Sequence, residues 1–107
     1  MDNQPEQTVA QKAFGTFLPK MASLTDEVLF DDVWERKELS KRDRSLITVA
    51  SLITGGNMEQ LVGHLKRARE NGLTEDELKE VIIHMSFYAG WPKAMSAINV
   101  AKKVFEE

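Results

Sequence analysis

Residues 40–54, "SKRDRSLITVASLIT", constrain the fold more than any other stretch. Leu46, Ile47, Val49, Ala50, Leu52 and Ile53 put apolar side chains on most sides of a helix. Such a helix belongs at the centre of other elements, because elsewhere its apolar surface would stay in water. Ser40 with Asp43 three residues later is an acidic variant of the capping box and predicts the helix start. The run Gly55-Gly56-Asn57 breaks the helix. Its polar residues Arg44, Thr48 and Ser51 recur at i, i+4 and i+7, so they form one stripe.

What surrounds that helix has the same period. A second helix is predicted from about Met58 to Asn71, with Leu61, Leu65 and Ala68 inward and His64 between them. Gly72 predicts a left-handed stop with Leu73 as its hydrophobic partner. Thr74 and Glu77 form a capping box, and Glu75, Asp76 and Glu77 suit the positive end of the helix dipole. This third helix, predicted to end at Gly90, carries Leu78, Val81, Ile82, Met85 and Ala89 on one face. Ile83, Phe87 and Tyr88 make it apolar on other faces as well, more than one small domain can cover, which predicts a partner subunit. Trp91-Pro92 starts a last helix with an inner stripe of Ala94, Ala97, Ile98, Ala101, Val104 and Phe105. "QKAFGTFLPKM" and "TDEVLFDDVWERKEL" read as shorter helical pieces, and residues 1–8 as a frayed tail. The expectation is a single all-α domain over 1–107 with five or six helices.

Composition removes several functions. No cysteine is present, which excludes disulfides, thiolate metal sites and thiol redox catalysis. Two histidines at unrelated spacing make no zinc motif, so no metal is expected. A net charge of −3 supplies no basic field for nucleic acid or anionic membrane. No apolar run is long enough to span a bilayer, and "MDNQPEQTVAQ" has no signal-peptide core, so the expected location is cytoplasmic. No phosphate-binding loop or nucleophile elbow is found.

The remaining candidates are Arg44, His64 and His84. If short turns make successive helices antiparallel, His64 and His84 stand only ~3 Å apart along the axis, and Arg44 and His64 ~6 Å apart, at 1.5 Å per residue. Three helices in one layer would then carry the three residues at similar depth, with Thr48 beside them. The helical wheel turns His84 toward the Val81/Tyr88 flank, where it can face a neighbouring subunit instead of His64.

Residues 30–105 resemble the carboxymuconolactone decarboxylase family, through "VWERKELSKRDRSLITVA", "HLKRARENGLTEDELKEVI" and "FYAGWPKAMSA" taken together. The resemblance implies an all-α domain of the alkyl hydroperoxidase D-like type that assembles into trimers or hexamers. One branch of the family reduces peroxides with a Cys-x-x-Cys pair, a downstream His and an upstream Glu. His64 matches the relay histidine, but the cysteine positions fall on Asn57 and Gln60 and the Glu position near Ser45, so that chemistry is not expected. The other branch decarboxylates γ-carboxymuconolactone to an enol-lactone in aromatic-acid catabolism, without a cofactor, and this chain looks closer to it. That reaction needs a cation for carboxylates, a donor for charge spreading onto the lactone, and an acid to protonate carbon. Arg44 fits the carboxylate, since a guanidinium fork is bidentate. His64 is the expected proton donor and His84 the second donor or orienter. Thr48, Trp34 and Tyr88 are expected substrate contacts, with Trp34, Phe87 or Trp91 as an apolar wall that weakens carboxylate solvation. The expected partners are a small carboxylated substrate and further copies of the chain. The competing reading is a cysteine-less member that keeps the oligomeric scaffold for a binding or structural role.

Overall fold

Helical patterning carries through to the computed structural model, which describes residues 6–107 and holds six α-helices and no strand among them. The chain divides into two units, one ending at Glu38 and the other spanning Leu39–Glu107.

In the first unit α1 spans Val9–Phe14. Thr8 caps it with a full capping box, in which its hydroxyl accepts from the Gln11 N–H and the Gln11 side chain accepts from the Thr8 N–H. Of the tail expected at residues 1–8, residues 1–5 lie outside the described residues. Helix α2 spans Pro19–Ser23, with Pro19 in the first turn where no donor is needed. The chain then widens into a π-helical segment, Leu24–Phe30, followed by a 3-10 turn at Val33–Glu35. Trp34 is buried, its ring 5.9 Å from that of Phe30.

The second unit holds α3 (Lys41–Gly55), α4 (Met58–Glu70), α5 (Glu75–Ser86) and α6 (Trp91–Glu106). Helix α3 packs against all three others, as its apolar pattern predicts. Val49 and Ile53 are buried, but Ile47 is 57% exposed, so the helix is central without being covered on every side. Leu61, Leu65 and Ala68 are fully buried on α4. Burying each leucine contributes about 1.5–3 kcal/mol. Gly72, at φ 103°, ends α4 as predicted. The Leu73 N–H donates to the Ala68 carbonyl and the Gly72 N–H to the Arg69 carbonyl, a complete Schellman motif with Leu73 folded into the core.

Two expectations are corrected. Helix α5 stops at Ser86, a turn before Gly90, as the Phe87, Tyr88 and Ala89 N–H groups donate three or four residues back in tightened turns. Phe87 and Tyr88 therefore lie beyond the helix, 78% and 75% exposed. Consecutive helices also do not form one layer. Helix α4 packs on α3 and α6, and α5 packs on α6 and α3, while α4 and α5 make at most marginal contact. The four helices form a ring in the order α3, α4, α6, α5, with α4 and α5 across the diagonal.

Candidate functional site

Three side-chain pairs orient the helices of this ring. Asn71 Nδ2 donates to Ser45 Oγ at 2.9 Å, so Ser45 marks the side of α3 that faces α4. Arg42 pairs with Glu77, so Arg42 marks the side facing α5. Lys66 Nζ lies 2.9 Å from Glu107, so Lys66 marks the side of α4 toward α6. At 100° per residue, Arg44 and Thr48 then fall on the flank of α3 turned away from α5. His64 and Arg67 fall on the flank of α4 turned away from α6. All four belong to the outer edge of the α3–α4 seam.

The start of α3 is fixed locally. Ser40 Oγ accepts from the Asp43 N–H at 3.0 Å. The predicted reciprocal half of that box is absent, and Asp43 instead pairs with Arg42 at 3.2 Å. The Thr48 hydroxyl donates to the Arg44 carbonyl at 2.7 Å, so Thr48 supports the turn that carries Arg44 and has only lone pairs left for a ligand. Arg44 and His64 are both half-buried, with Arg44 Nε and His64 Nδ1 shielded from solvent.

Counting along the helices from the Ser45–Asn71 bond puts Arg67 near the level of Thr48 and His64 about one turn further. Arg44 and His64 are thus offset by roughly 12 Å, more than the sequence spacing suggests, with Arg67 between them. Burial pushes the His64 imidazole below its ordinary value of 6.5, and the positive charge of Arg67 adds to that. At neutral pH the ring is therefore neutral, and it lies beside guanidinium charge, an environment that favours arrival of an anion.

The other candidates belong to other elements. His84 is exposed on α5, its ring stacked on that of Tyr88 with centroids 4.9 Å apart. It stands across the diagonal from His64, on the Val81/Tyr88 flank that its wheel position indicated. Trp34 belongs to the first unit. Arg67 and the Ser45–Asn71 pair were not among the expected site residues. The i, i+3 spacing from His64 pointed to Arg67, whereas the buried bond to Ser45 needs the packing of α3 on α4. Among the described residues, no group of three or more His, Cys, Asp or Glu could hold a metal ion, and no helix is long and apolar enough to cross a membrane.

The lowered His64 value has a consequence for stability. The folded state prefers the neutral ring, so the contribution is full above the ordinary histidine value and is lost as pH falls through the folded one. Thermal melts between pH 7.5 and 5.5 should show the melting temperature falling with pH, and the slope should be shallower in His64→Gln. Equal slopes would show that His64 titrates alike in the folded and unfolded chains.

The sequence pattern of the carboxymuconolactone decarboxylase family matches residues 19–103. The chain is 43% identical over 76 residues to a 4-carboxymuconolactone decarboxylase of Acinetobacter baylyi, covering 71% of this chain and 57% of that one. It is 32% identical over 84 residues to a nitrosuccinic acid decarboxylase of Metarhizium robertsii, covering 78% of this chain and 59% of that one. An uncharacterised protein of Paracoccus denitrificans is 26% identical over 98 residues, covering 90% of this chain and 73% of that one. The chain thus spans less than two thirds of the length of the two named decarboxylases it matches.

Proposed function

Because the chain belongs to the carboxymuconolactone decarboxylase family, we propose that it removes CO₂ from a small carboxylated lactone or related acid, without a cofactor, at the α3–α4 seam. The observation that carries this reading is 43% identity to a decarboxylase over the segment that holds Arg44, His64 and Arg67. A second similar protein is also a decarboxylase by name, and its substrate is an acid. With no cysteine, the chain lacks the thiols that the peroxide-reducing branch would require.

In this reading Arg44 holds a carboxylate that stays on the substrate, and Arg67 sits where a second anionic group would be neutralised. The bond from the ring carbon to the departing carboxylate breaks, and its electron pair moves through the unsaturated lactone toward the carbonyl oxygen. A proton from His64 then ends on carbon. His64 is neutral at rest, so the incoming anion has a task beyond binding. By offsetting the charge of Arg67 it restores the basicity of the imidazole and lets His64 take up the proton it delivers. Thr48 keeps Arg44 in place. His84 and Tyr88 serve as second donor and contact across a subunit boundary, in a trimer or hexamer of this chain.

The deciding experiment is CO₂ release from 4-carboxymuconolactone by the purified protein. Release that scales with protein concentration supports a decarboxylase of this substrate class. No release from this lactone, nor from small β-keto or nitro dicarboxylic acids, points to the scaffold reading.

A further inference from the structure

Ser45 is the one buried polar residue among those described, and the other residues buried on α3 and α4 are apolar. Val49 and Ile53 on α3 share a core with Leu61, Leu65 and Ala68 on α4. Apolar attraction has no direction, so it resists separation of two helices more than it resists sliding. A hydrogen bond is directional and weakens steeply once its atoms part or its angle closes, so it resists sliding as well. The bond from Asn71 Nδ2 to Ser45 Oγ is of that kind. A slip that breaks it leaves a buried hydroxyl oxygen without its donor, which opposes the slip.

Both ends of this bond are anchored. Ser45 is fully buried one turn past the capped start of α3. Asn71 closes α4, where its N–H donates to the Arg67 carbonyl at 2.9 Å and the Schellman motif at Gly72 and Leu73 locks the turn that follows. The same two residues adjoin the cations of the seam. Ser45 follows Arg44 in the chain, and Asn71 stands four residues after Arg67, on the same face. One bond therefore joins the turn that carries Arg44 to the turn that carries Arg67. Measured from that bond, Arg44 lies about 1.5 Å to one side and Arg67 about 6 Å to the other, so their backbones stand roughly 7–8 Å apart along the seam. Both side chains are half-buried, which limits how far their stems can swing.

We infer that the Ser45–Asn71 bond is the gauge of the seam: it fixes the spacing of Arg44 and Arg67 and so selects the distance between the two anionic groups of the molecule bound there. The inference rests on the two-anion reading of the seam proposed above and names the pair that sets its specificity. Ser45 and Asn71 are positioning residues that act through the arginines. A ligand whose two charges match the spacing meets both guanidinium groups at once, and its second contact is made within one molecule. A shorter diacid reaches one arginine only, and a longer flexible one loses more chain freedom in reaching both. Without the bond, α3 and α4 settle over a range of registers and the match is blurred.

The test uses linear dicarboxylates of increasing length, from malonate to pimelate, with butyrate as the single-charge control, and isothermal titration reads each affinity. The unsubstituted protein should bind one length best, and butyrate roughly tenfold or more weakly than that diacid. Asn71→Ala should flatten the profile, bringing the best diacid close to its neighbours, while butyrate binding stays unchanged. Asn71 is half-buried at the end of α4, so its truncation spares the core, and circular dichroism checks the fold. Ser45→Ala should have the same effect, and the double variant should be no flatter than either, since each change removes the same bond. Arg67→Gln should flatten the profile too. A pair that only stabilises the fold would lower the melting temperature and leave the shape of the profile as it was. A maximum that persists in Asn71→Ala or in Arg67→Gln, or an unsubstituted protein that binds all lengths equally, overturns the gauge and leaves the anion site standing. Failure of every dicarboxylate to bind the unsubstituted protein ends the reading of the seam itself, and the gauge with it.

Discussion

Arg44→Ala should weaken binding of a small dicarboxylate by on the order of 10²-fold or more while the helices stay folded. The size follows from where the side chain sits. Arg44 is half-buried, with Nε shielded from solvent, so a carboxylate on its fork would be partly screened from water and the lost charge would not be replaced cheaply. The fold should survive because the backbone around Arg44 is held by other groups. Its N–H donates to the Ser40 carbonyl, and its carbonyl accepts from the Thr48 hydroxyl, and neither bond needs the side chain. Arg44→Lys should restore only part of the affinity, since a point charge cannot make two parallel bonds to a carboxylate. Isothermal titration with the dicarboxylate reads the affinity, and circular dichroism reads the fold. A variant that melts lower yet binds unchanged would make Arg44 a structural group.

Local signals in the sequence were reliable wherever a backbone device sets the outcome. The Thr74/Glu77 box, the Gly72 stop with Leu73, and Pro92 opening the last helix all stand as the residues imply. Each depends on neighbours within a few positions, so no knowledge of the packing is needed. The arrangement of the helices was harder to read. Short turns show that consecutive helices reverse direction, but they do not show which helices become neighbours. The ring places α6 between α4 and α5, and the single layer assumed for Arg44, His64 and His84 is replaced by a diagonal. Periodicity had the same limit at Ile98. It belongs to the apolar stripe of α6 and is nonetheless 39% exposed, because it lines a groove between α5 and α6 that no part of its own helix ring fills. The α3–α4 seam was legible in part. Arg44, Thr48 and His64 were visible as polar residues among apolar ones. Arg67, a cation in the last turn of a helix, looks in sequence like an ordinary partner for the helix dipole.

The second large effect is on turnover. His64→Gln should lower kcat by roughly 10²–10⁴-fold with KM little changed, because glutamine keeps a polar side chain at the seam but cannot deliver a proton to carbon. The pH dependence carries more information than the loss. In the free protein, burial and Arg67 hold the imidazole below its ordinary value. A bound anion beside Arg67 offsets that charge, so the ring should take up its proton at higher pH in the complex. The profile of kcat/KM reports the free protein and that of kcat the complex. The alkaline limb should therefore lie at higher pH in kcat than in kcat/KM, and both limbs should vanish in His64→Gln. Arg67→Gln should move the kcat/KM limb upward, toward the ordinary histidine value, by removing the charge that helps to lower it. These shifts separate a proton donor from a packing residue. If His64 only fills space, its replacement lowers the melting temperature and scales both profiles down without moving either limb. Coincident limbs in the unsubstituted protein would mean that the substrate anion never comes near the ring, and another group would have to supply the proton.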